Sequence, residues 1–484
     1  MTFIFIKGTP PRDVKQIDQV YYDRGAMFPA VLAGTSLPPI DVKLNAAAKT
    51  FRLKAVTSGH DFSNETNCAE FCPRTHFLSV DGTERFSWLL WKECGDNPVY
   101  PQGGTWLIDR TGWCPGAPVD MYEFELTPFA TGKSSVSIDY GIKKQAANEA
   151  WGRWEVSTQL IGYGDANFQK DAAVVDIISP NNWEYYGRLN PICGEPVIVI
   201  QNTGSTDLTT CTIEYTVNGA GKKSFNWTGN LKFLGRDTVV LPEASWPTAE
   251  GLSSFAATVV LTGDQYAPNN TRATQFVMPP AYYNDLQIVL RTNKQAEEQY
   301  VWKLKKTTGE VIGSGENLAS ETTFTYDFDL ASGCYDFELV NKEGYGLDFW
   351  FLRSQLGTGS LSFKSGGATI KVFEPDFGNK AWMQFTVAPK PTIQTSTDSV
   401  KWQLAAPARE EKSFVIRSMT DAPLRVDSLA IFSVRKHFFL VSTSVALPAT
   451  LAKGDSIVVI LAFERPDAGT TSGSIRVYSN DERQ

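Results

Sequence analysis

Alternation of apolar and polar residues with a period of two runs through most of this sequence and constrains its fold more than any other feature. Successive side chains of a β-strand point to opposite faces, so this period is typical of strands that bury one face. Gly, Asn, Asp and Pro separate the runs, as expected for turns between short strands. The pattern predicts an all-β fold. Clear examples are residues 122–126, 213–217 and 324–330.

Helical periodicity is found in two short segments, around 144–151 and 13–22. Neither segment has capping residues at both ends, which is the signal expected of a stable helix. We therefore expect at most these two helices.

Length and charge restrict the classes of protein to which the chain can belong. Its 484 residues exceed what one hydrophobic core organises, so we expect several domains. The net charge of -8, with Lys and Arg scattered along the chain, gives no basic patch for nucleic acid or for an anionic membrane surface. No stretch of apolar residues is long enough to predict a membrane span.

Proline-containing breaks near 179–181, 278–280 and 387–391 divide the alternating strands into sets of about the size of a sandwich domain. Residues 182–281 resemble the immunoglobulin-like modules of bacterial extracellular enzymes. Residues 282–390 are similar to jelly-roll or CUB-like accessory domains, and 393–484 to the immunoglobulin-like sandwich modules that precede a cell-surface sorting signal. The predicted domains are a strand remnant at 1–18, a jelly roll at 19–181, and three β-sandwiches at 182–281, 282–390 and 393–484.

Four of the seven cysteines, namely Cys68, Cys72, Cys94 and Cys114, lie close together in the sequence. Such a group forms either a structural zinc site or disulfides in an oxidising compartment. The extracellular character of the modules favours disulfides, and we expect no metal. Two further cysteines at strand-like positions, Cys193 and Cys211, predict a third bridge. Cys334 is then left as a buried thiol.

Three stretches around these cysteines carry a resemblance to a known family. They read Thr-Ser-Gly-His at 57–60, Asn-Cys-Ala-Glu-Phe-Cys-Pro-Arg-Thr-His at 67–76, and Gly-Gly-Thr-Trp-Leu-Ile-Asp-Arg-Thr-Gly-Trp-Cys-Pro-Gly at 103–116. In this order and spacing they closely resemble the second domain of the peptide-N-glycosidase F family. The resemblance covers about residues 1–181.

The resemblance implies a secreted or cell-surface bacterial amidase that cleaves the bond between the first N-acetylglucosamine of a glycan and an asparagine side chain. Its partners would be N-glycosylated proteins or glycopeptides, and it would need no cofactor. The family packs two eight-stranded jelly rolls side by side, with the active site in the groove between them. Pairing of Cys68 with Cys72 and of Cys94 with Cys114 is implied as well.

Carried over by motif, Glu70 and Arg110 fall on the family's active-site glutamate and arginine. A carboxylate in a tight disulfide loop can orient water or hold sugar hydroxyls, and a guanidinium can stabilise a developing oxyanion. Without the family context, both residues would be interpreted as solvated or structural. The resemblance predicts that the two side chains converge at one accessible groove.

Aromatic residues in the same loops are candidates for glycan contacts. Phe71, Trp106 and Trp113 can stack on pyranose faces, although tryptophans beside disulfides more often belong to a core. His60 ends a Ser-Gly-His run that is longer in the family, and the family has tryptophan at the position of Phe71. Outside the first domain, Trp350 is the best candidate for sugar stacking.

The sequence also bears on two other functions. Copper-dependent monooxygenases share the double jelly roll, but their sites need clusters of histidines, and this chain has three histidines in total. His76, beside the disulfide loop, is expected to be its structural partner. The non-enzymatic alternative is a cell-surface protein that binds glycans and has lost catalysis.

The N-terminal residues affect whether we expect this chain to be catalytically active. Residues 3–10 resemble the final strand of the family's first jelly roll, so we expect most of that roll, including its catalytic aspartate and a second acidic residue, to lie outside this sequence. Residues 1–7 are too short for the core of an export signal. Glu70 and Arg110 would then form half a site, and we expect negligible deglycosylation by these 484 residues.

Overall fold

A computed structural model describes residues 8–64, 67–144, 152–247, 251–405 and 407–481. Their regular secondary structure is almost entirely β-strand. The strands form four two-sheet sandwiches along the chain, each around its own hydrophobic core. The predicted all-β fold is confirmed. Among the described residues, none of the helices has the length and apolar character needed to cross a bilayer.

The first sandwich contains ten strands and two short helices. They are β1 (Arg12–Met27), α1 (Phe28–Leu32), β2 (Ile40–Lys43), β3 (Thr50–His60), β4 (Phe62–Asn64), β5 (Asn67–Cys68), β6 (Arg74–Val80), β7 (Thr83–Leu90), β8 (Met121–Glu125), α2 (Thr127–Ala130), β9 (Ser135–Ile142) and β10 (Arg153–Ala166). One sheet has the order β1-β10-β3-β8 and the other β2-β9-β6-β7, while β4 and β5 form a hairpin. Eight strands in this order have the connectivity of a jelly roll, as expected.

The segment 13–22 is not a helix. It lies in β1, which pairs with β10 from Arg12 to Met27, so residues 12–18 belong to this sheet rather than to a separate remnant. Four register shifts interrupt the pairing of β1 with β10, and each shift breaks the period of two, which explains the weak strand pattern. Of the other expected helix, residues 145–151 lie outside the described residues.

The core of the first sandwich encloses a buried histidine. His76 on β6 is fully buried, and its Nδ1 lies 2.8 Å from the hydroxyl of Tyr140, which in turn lies 3.0 Å from Oγ1 of Thr57. The rings of Trp88 and Trp154 pack against it. His76 therefore belongs to the space between the sheets and is not a partner of the disulfide loop. Burial lowers its pKa to about 3.

The second sandwich begins earlier than the predicted boundary at 181, because β11 pairs with β12. Its sheets have the orders β11-β12-β15 and β14-β13-β16-β17. The elements are β11 (Ala172–Ser179), a 3₁₀ segment (Glu184–Leu189), β12 (Val197–Asn202), β13 (Leu208–Val217), β14 (Ala220–Leu231), β15 (Arg236–Val240), β16 (Leu252–Val260), a 3₁₀ turn (Ala267–Asn269) and β17 (Thr271–Val277).

The third sandwich has a five-stranded and a four-stranded sheet, ordered β18-β26-β23-β20-β21 and β22-β19-β24-β25. Its elements are β18 (Ala281–Tyr283), β19 (Asp285–Arg291), β20 (Tyr300–Lys306), β21 (Val311–Glu316), β22 (Thr323–Asp329), β23 (Gly333–Asn341), α3 (Arg353–Leu356), β24 (Ser360–Ser365), β25 (Ala368–Val372) and β26 (Lys380–Ala388). Aromatic side chains fill much of its core.

The fourth sandwich pairs sheets of order β27-β28-β32-β30 and β31-β29-β33. Its strands are β27 (Ile393–Thr395), β28 (Ala408–Ser418), β29 (Leu424–Ser433), β30 (Phe438–Thr443), β31 (Ala449–Leu451), β32 (Ser456–Arg465) and β33 (Gly473–Ser479).

The third disulfide differs from the predicted one. Cys193 pairs with Cys334, so the bridge joins the second sandwich to β23 of the third, and the predicted bridge to Cys211 was wrong. The Cys211 side chain points into the core of the second sandwich, whereas the backbone N–H of Cys193 donates to Gln384 of the third sandwich over 2.9 Å. A strand-like sequence pattern predicts that a cysteine lies on a strand. It does not show which sandwich packs against the cysteine side chain.

Peptide mapping without reduction should recover a linked pair of peptides containing Cys193 and Cys334. Cys211 should resist alkylation until the protein unfolds, because it is buried and burial raises its pKa to about 11. A linked Cys193–Cys211 peptide, or rapid alkylation of Cys211 in the native protein, would contradict this arrangement.

Acidification should weaken the first sandwich through His76. The unfolded chain takes up a proton near pH 6.5, whereas the folded state resists protonation down to about pH 3, so stability is full above pH 6.5 and falls as the pH drops between these values. From pH 7 to pH 5 the opening free energy should fall by about 2 kcal/mol. Amide hydrogen exchange in β6 and β9, corrected for the intrinsic exchange rates, measures this opening free energy. His76→Gln should flatten this dependence, and an unchanged slope in that variant would contradict the assignment.

Candidate functional site

The loop that carries Glu70 is held on both sides. A disulfide joins Cys68 to Cys72, as the resemblance implied. The backbone N–H of Glu70 donates to the carbonyl of Asp61 over 3.2 Å, and the carbonyl of Glu70 accepts from the N–H of Thr111 over 2.8 Å. These bonds leave the Glu70 side chain on a loop of little conformational freedom.

Arg110 lies on a second loop, which the Cys94–Cys114 disulfide closes. Its backbone pairs with Lys92, so the residue sits in a short β-bridge. The guanidinium turns back into its own loop, where Nη1 donates to the carbonyls of Thr105 and Ile108 over 3.0 and 2.6 Å. Nη2 donates to Oγ1 of Thr105 over 3.1 Å.

The two side chains meet. Nε of Arg110 lies 3.3 Å from Oε1 of Glu70, and the guanidinium carbon lies 5.1 Å from the ring centroids of both Phe71 and Trp113. The Arg110 side chain is 5% exposed and that of Glu70 is 23% exposed. The expected convergence is thus present, but a ligand can reach the carboxylate and not the guanidinium.

Burial lowers the pKa of Arg110, and the hydrogen bond and charge of Glu70 oppose that shift. An arginine remains charged under such conditions, so Arg110 places a fixed positive charge behind the Glu70 carboxylate. A buried charge of this kind is tolerated because its donors are hydrogen-bonded.

His60 and Trp113 form one edge of the site. Their rings lie 5.6 Å apart, and Nε1 of Trp113 donates to the carbonyl of Gly59 over 3.0 Å. Burial lowers the pKa of His60, so the ring is neutral at pH 7. A Cβ on Gly59 would lie 2.0 Å from the carbonyl oxygen of Ala69, so only glycine allows β3 to approach the Glu70 loop this closely.

Trp106 does not belong to this surface. Its side chain is buried, its Nε1 lies 3.4 Å from Oδ2 of Asp376, and it packs against Phe349 of the third sandwich. The expected stacking of Trp106 on a sugar is therefore wrong. A tryptophan beside a disulfide often belongs to a core, and the sequence shows that signal. The residues that cover Trp106 could not be predicted, because they lie more than two hundred positions later in the chain.

The third sandwich rests on the loop that carries Arg110. Nε1 of Trp350 donates to the carbonyl of Gly104 over 2.9 Å, and the N–H of Asn379 donates to the carbonyl of Gly95 over 3.0 Å. A Cβ on Gly378 would lie 2.3 Å from that same Gly95 carbonyl, so the two backbones are in contact. The ring of Trp350 remains 55% exposed.

The structure thus brings together Glu70, Arg110, Phe71, Trp113 and His60, and separates Trp106 from them. The sequence did not single out Thr105, whose carbonyl and hydroxyl accept hydrogen bonds from Arg110. The signal that could have indicated it is its place in the same motif, because a buried arginine needs acceptors nearby. Among the described residues, no group of three or more potential metal ligands comes together.

Comparison with known proteins identifies the segment that holds this site. Residues 28–161 match the family model described as peptide-N-glycosidase F, C terminal. Over 83 residues the chain is 36% identical to peptide-N(4)-(N-acetyl-beta-D-glucosaminyl)asparagine amidase F of Elizabethkingia miricola, a match that spans 17% of this chain and 23% of that protein.

Solved structures of PNGase F also match. One, described as a glycosylasparaginase from Flavobacterium meningosepticum, is 24% identical, with 33% of this chain and 55% of that chain covered and a TM-score of 0.30. Another, at 2.2 Å resolution, has the same identity and coverage and a TM-score of 0.29. The chain thus spans about half the length of these structures. Residues 28–161, the segment similar to the peptide-N-glycosidase F C-terminal family, hold both Glu70 and Arg110.

Proposed function

We propose that the first sandwich forms the glycan-binding wall of an amidase similar to peptide-N-glycosidase F, acting on the bond between N-acetylglucosamine and asparagine. The observation that carries the proposal is the Glu70–Arg110 pair, held by two disulfide-closed loops within the matched segment. Its substrates would be N-glycosylated proteins or glycopeptides. The three disulfides support a secreted or cell-surface location.

Each member of the pair would have a different role. Glu70, which is partly exposed, would accept hydrogen bonds from the sugar or from the amide N–H. Arg110 would act through Glu70, because its side chain is buried and bonded to its own loop. Its charge lies in a site of low dielectric, where it stabilises negative charge more strongly than it would in water.

Phe71, Trp113 and His60 would complete the wall. The two aromatic rings flank the guanidinium and offer their outer edges and faces to a pyranose ring. Nε2 of His60 lies 2.8 Å from Oγ of Ser58, so the ring would offer a sugar its other nitrogen, Nδ1.

Hydrolysis also requires a group that activates water. Water adds to the amide carbonyl and the C–N bond breaks, which leaves aspartate and an amino sugar. A positioned general acid or base contributes about 10² to 10⁴ in rate. The sequence resemblance assigns that role to an aspartate outside the matched segment, so we expect glycopeptide binding to be easier to detect than glycan release.

A non-catalytic glycan-binding protein is the second candidate. The burial of Arg110 favours it, because only the carboxylate of the pair is open to a ligand. Such a wall can hold a sugar without polarising the amide bond.

Glu70→Gln tests the proposal. The variant keeps the shape of the side chain and removes its charge, so the affinity for an N-glycopeptide, measured by calorimetry, should fall by about tenfold. Glu84→Gln is the matched control, because Glu84 pairs with Lys143 at an exposed position of the same sandwich. Its affinity should equal that of the unchanged protein.

Mass spectrometry of the same mixtures separates the two candidate functions. Release of free glycan that depends on Glu70 favours the amidase, whereas Glu70-dependent binding without release favours the glycan-binding protein. Equal affinity of the Glu70→Gln and unchanged proteins would contradict both.

A further inference from the structure

A cavity of about 390 Å³ lies where the third sandwich meets the loops of the first. This volume is within the range of about 300 to 1,000 Å³ that is typical of small-molecule sites. Two sandwiches contribute to its lining. The first sandwich contributes Phe71, Trp91, Glu93 and Asp109, and the third contributes Lys342, Glu343 and Tyr345.

The chemistry of this lining fits a saccharide. A pyranose presents an apolar face of C–H groups and a rim of hydroxyls that both donate and accept. The rings of Phe71, Trp91 and Tyr345 offer apolar surface, and the carboxylates of Glu93 and Asp109 are strong acceptors. The lining carries three carboxylates, those of Glu93, Asp109 and Glu343, against the one ammonium group of Lys342. Its net charge is therefore negative, which does not suit a nucleotide or a phospholipid headgroup.

The walls of the cavity are fixed by packing. Asp109 accepts the N–H of Cys94 over 2.8 Å, and the ring of Tyr345 stacks on Phe349 at 6.2 Å with an interplanar angle of 5°. A Cβ on Gly95 would lie 2.1 Å from Oδ1 of Asn379, so the two sandwiches touch through this side chain. A site with walls held in this way loses little conformational entropy on binding.

Phe71 connects the cavity with the Glu70 site. Its ring lines the cavity and also lies 5.1 Å from the guanidinium carbon of Arg110. Because Phe71 follows Glu70 directly in the chain, a saccharide held by Glu70 can continue past this ring into the cavity.

We propose that the cavity between the first and third sandwiches binds a sugar of the N-glycan beyond the one attached to asparagine. The third sandwich then contributes to glycan selection as well as to the support of the Arg110 loop. The inference rests on the proposed function for the identity of the ligand as an N-glycan, but the binding of saccharide in the cavity does not require Glu70.

Calorimetric titration of the whole chain with free N-glycans, high-mannose and complex, tests this inference, because these ligands lack asparagine. Tyr345→Ala removes a ring face and should weaken binding by about tenfold, whereas Tyr345→Phe should retain affinity. Tyr478→Ala, in the fourth sandwich at 40% exposure, is the matched control and should behave like the unchanged protein.

Glu93→Gln provides a second variant at an exposed position, where misfolding is not expected, and should lower the affinity several-fold. The loss of affinity caused by Tyr345→Ala should also be measurable in a Glu70→Gln background, because the lining of the cavity contacts the saccharide without Glu70. Failure of every free glycan to bind, or equal binding by the Tyr345→Ala and Glu93→Gln variants and the unchanged protein, would overturn the inference. Glu70-dependent binding of a glycopeptide can persist in that case, which separates this failure from a failure of the proposed function.

Discussion

The buried guanidinium of Arg110 is the interaction on which the candidate site depends. It donates to Glu70, to the carbonyls of Thr105 and Ile108 and to the Thr105 hydroxyl, and so joins two disulfide-closed loops. Removing a buried charge with several partners leaves those partners unpaired, which costs more than the loss of one contact. The position of the Glu70 carboxylate therefore depends on a residue that a ligand does not reach.

Support for this arrangement extends beyond the matched domain. The loop that carries Arg110 is covered by the third sandwich, with Trp106 buried between them. The third sandwich is in turn tied to the second by the Cys193–Cys334 disulfide. Contacts between backbones at Gly95 and Gly378 leave no room for larger side chains. Modules that the sequence presents as appendages thus form part of the surroundings of the site.

The sequence was informative where the signal is local. Period-two alternation predicted the strands. The resemblance carried by the motif around Cys68, Cys72, Cys94 and Cys114 implied two bridges, and both are present. Contacts between distant modules could not be predicted in this way. The pairing of Cys193 and the burial of Trp106 both depend on contacts with another sandwich. The residues near them in the sequence do not indicate such contacts.

A crystal structure of the chain with an N-acetylglucosaminyl-asparagine peptide tests the role of the Glu70–Arg110 pair most directly. The sugar attached to asparagine should lie within hydrogen-bond distance of the Glu70 carboxylate, with Arg110 still bonded to Thr105 and Ile108 behind it. A sugar bound elsewhere, with Glu70 exposed only to solvent, would contradict that role.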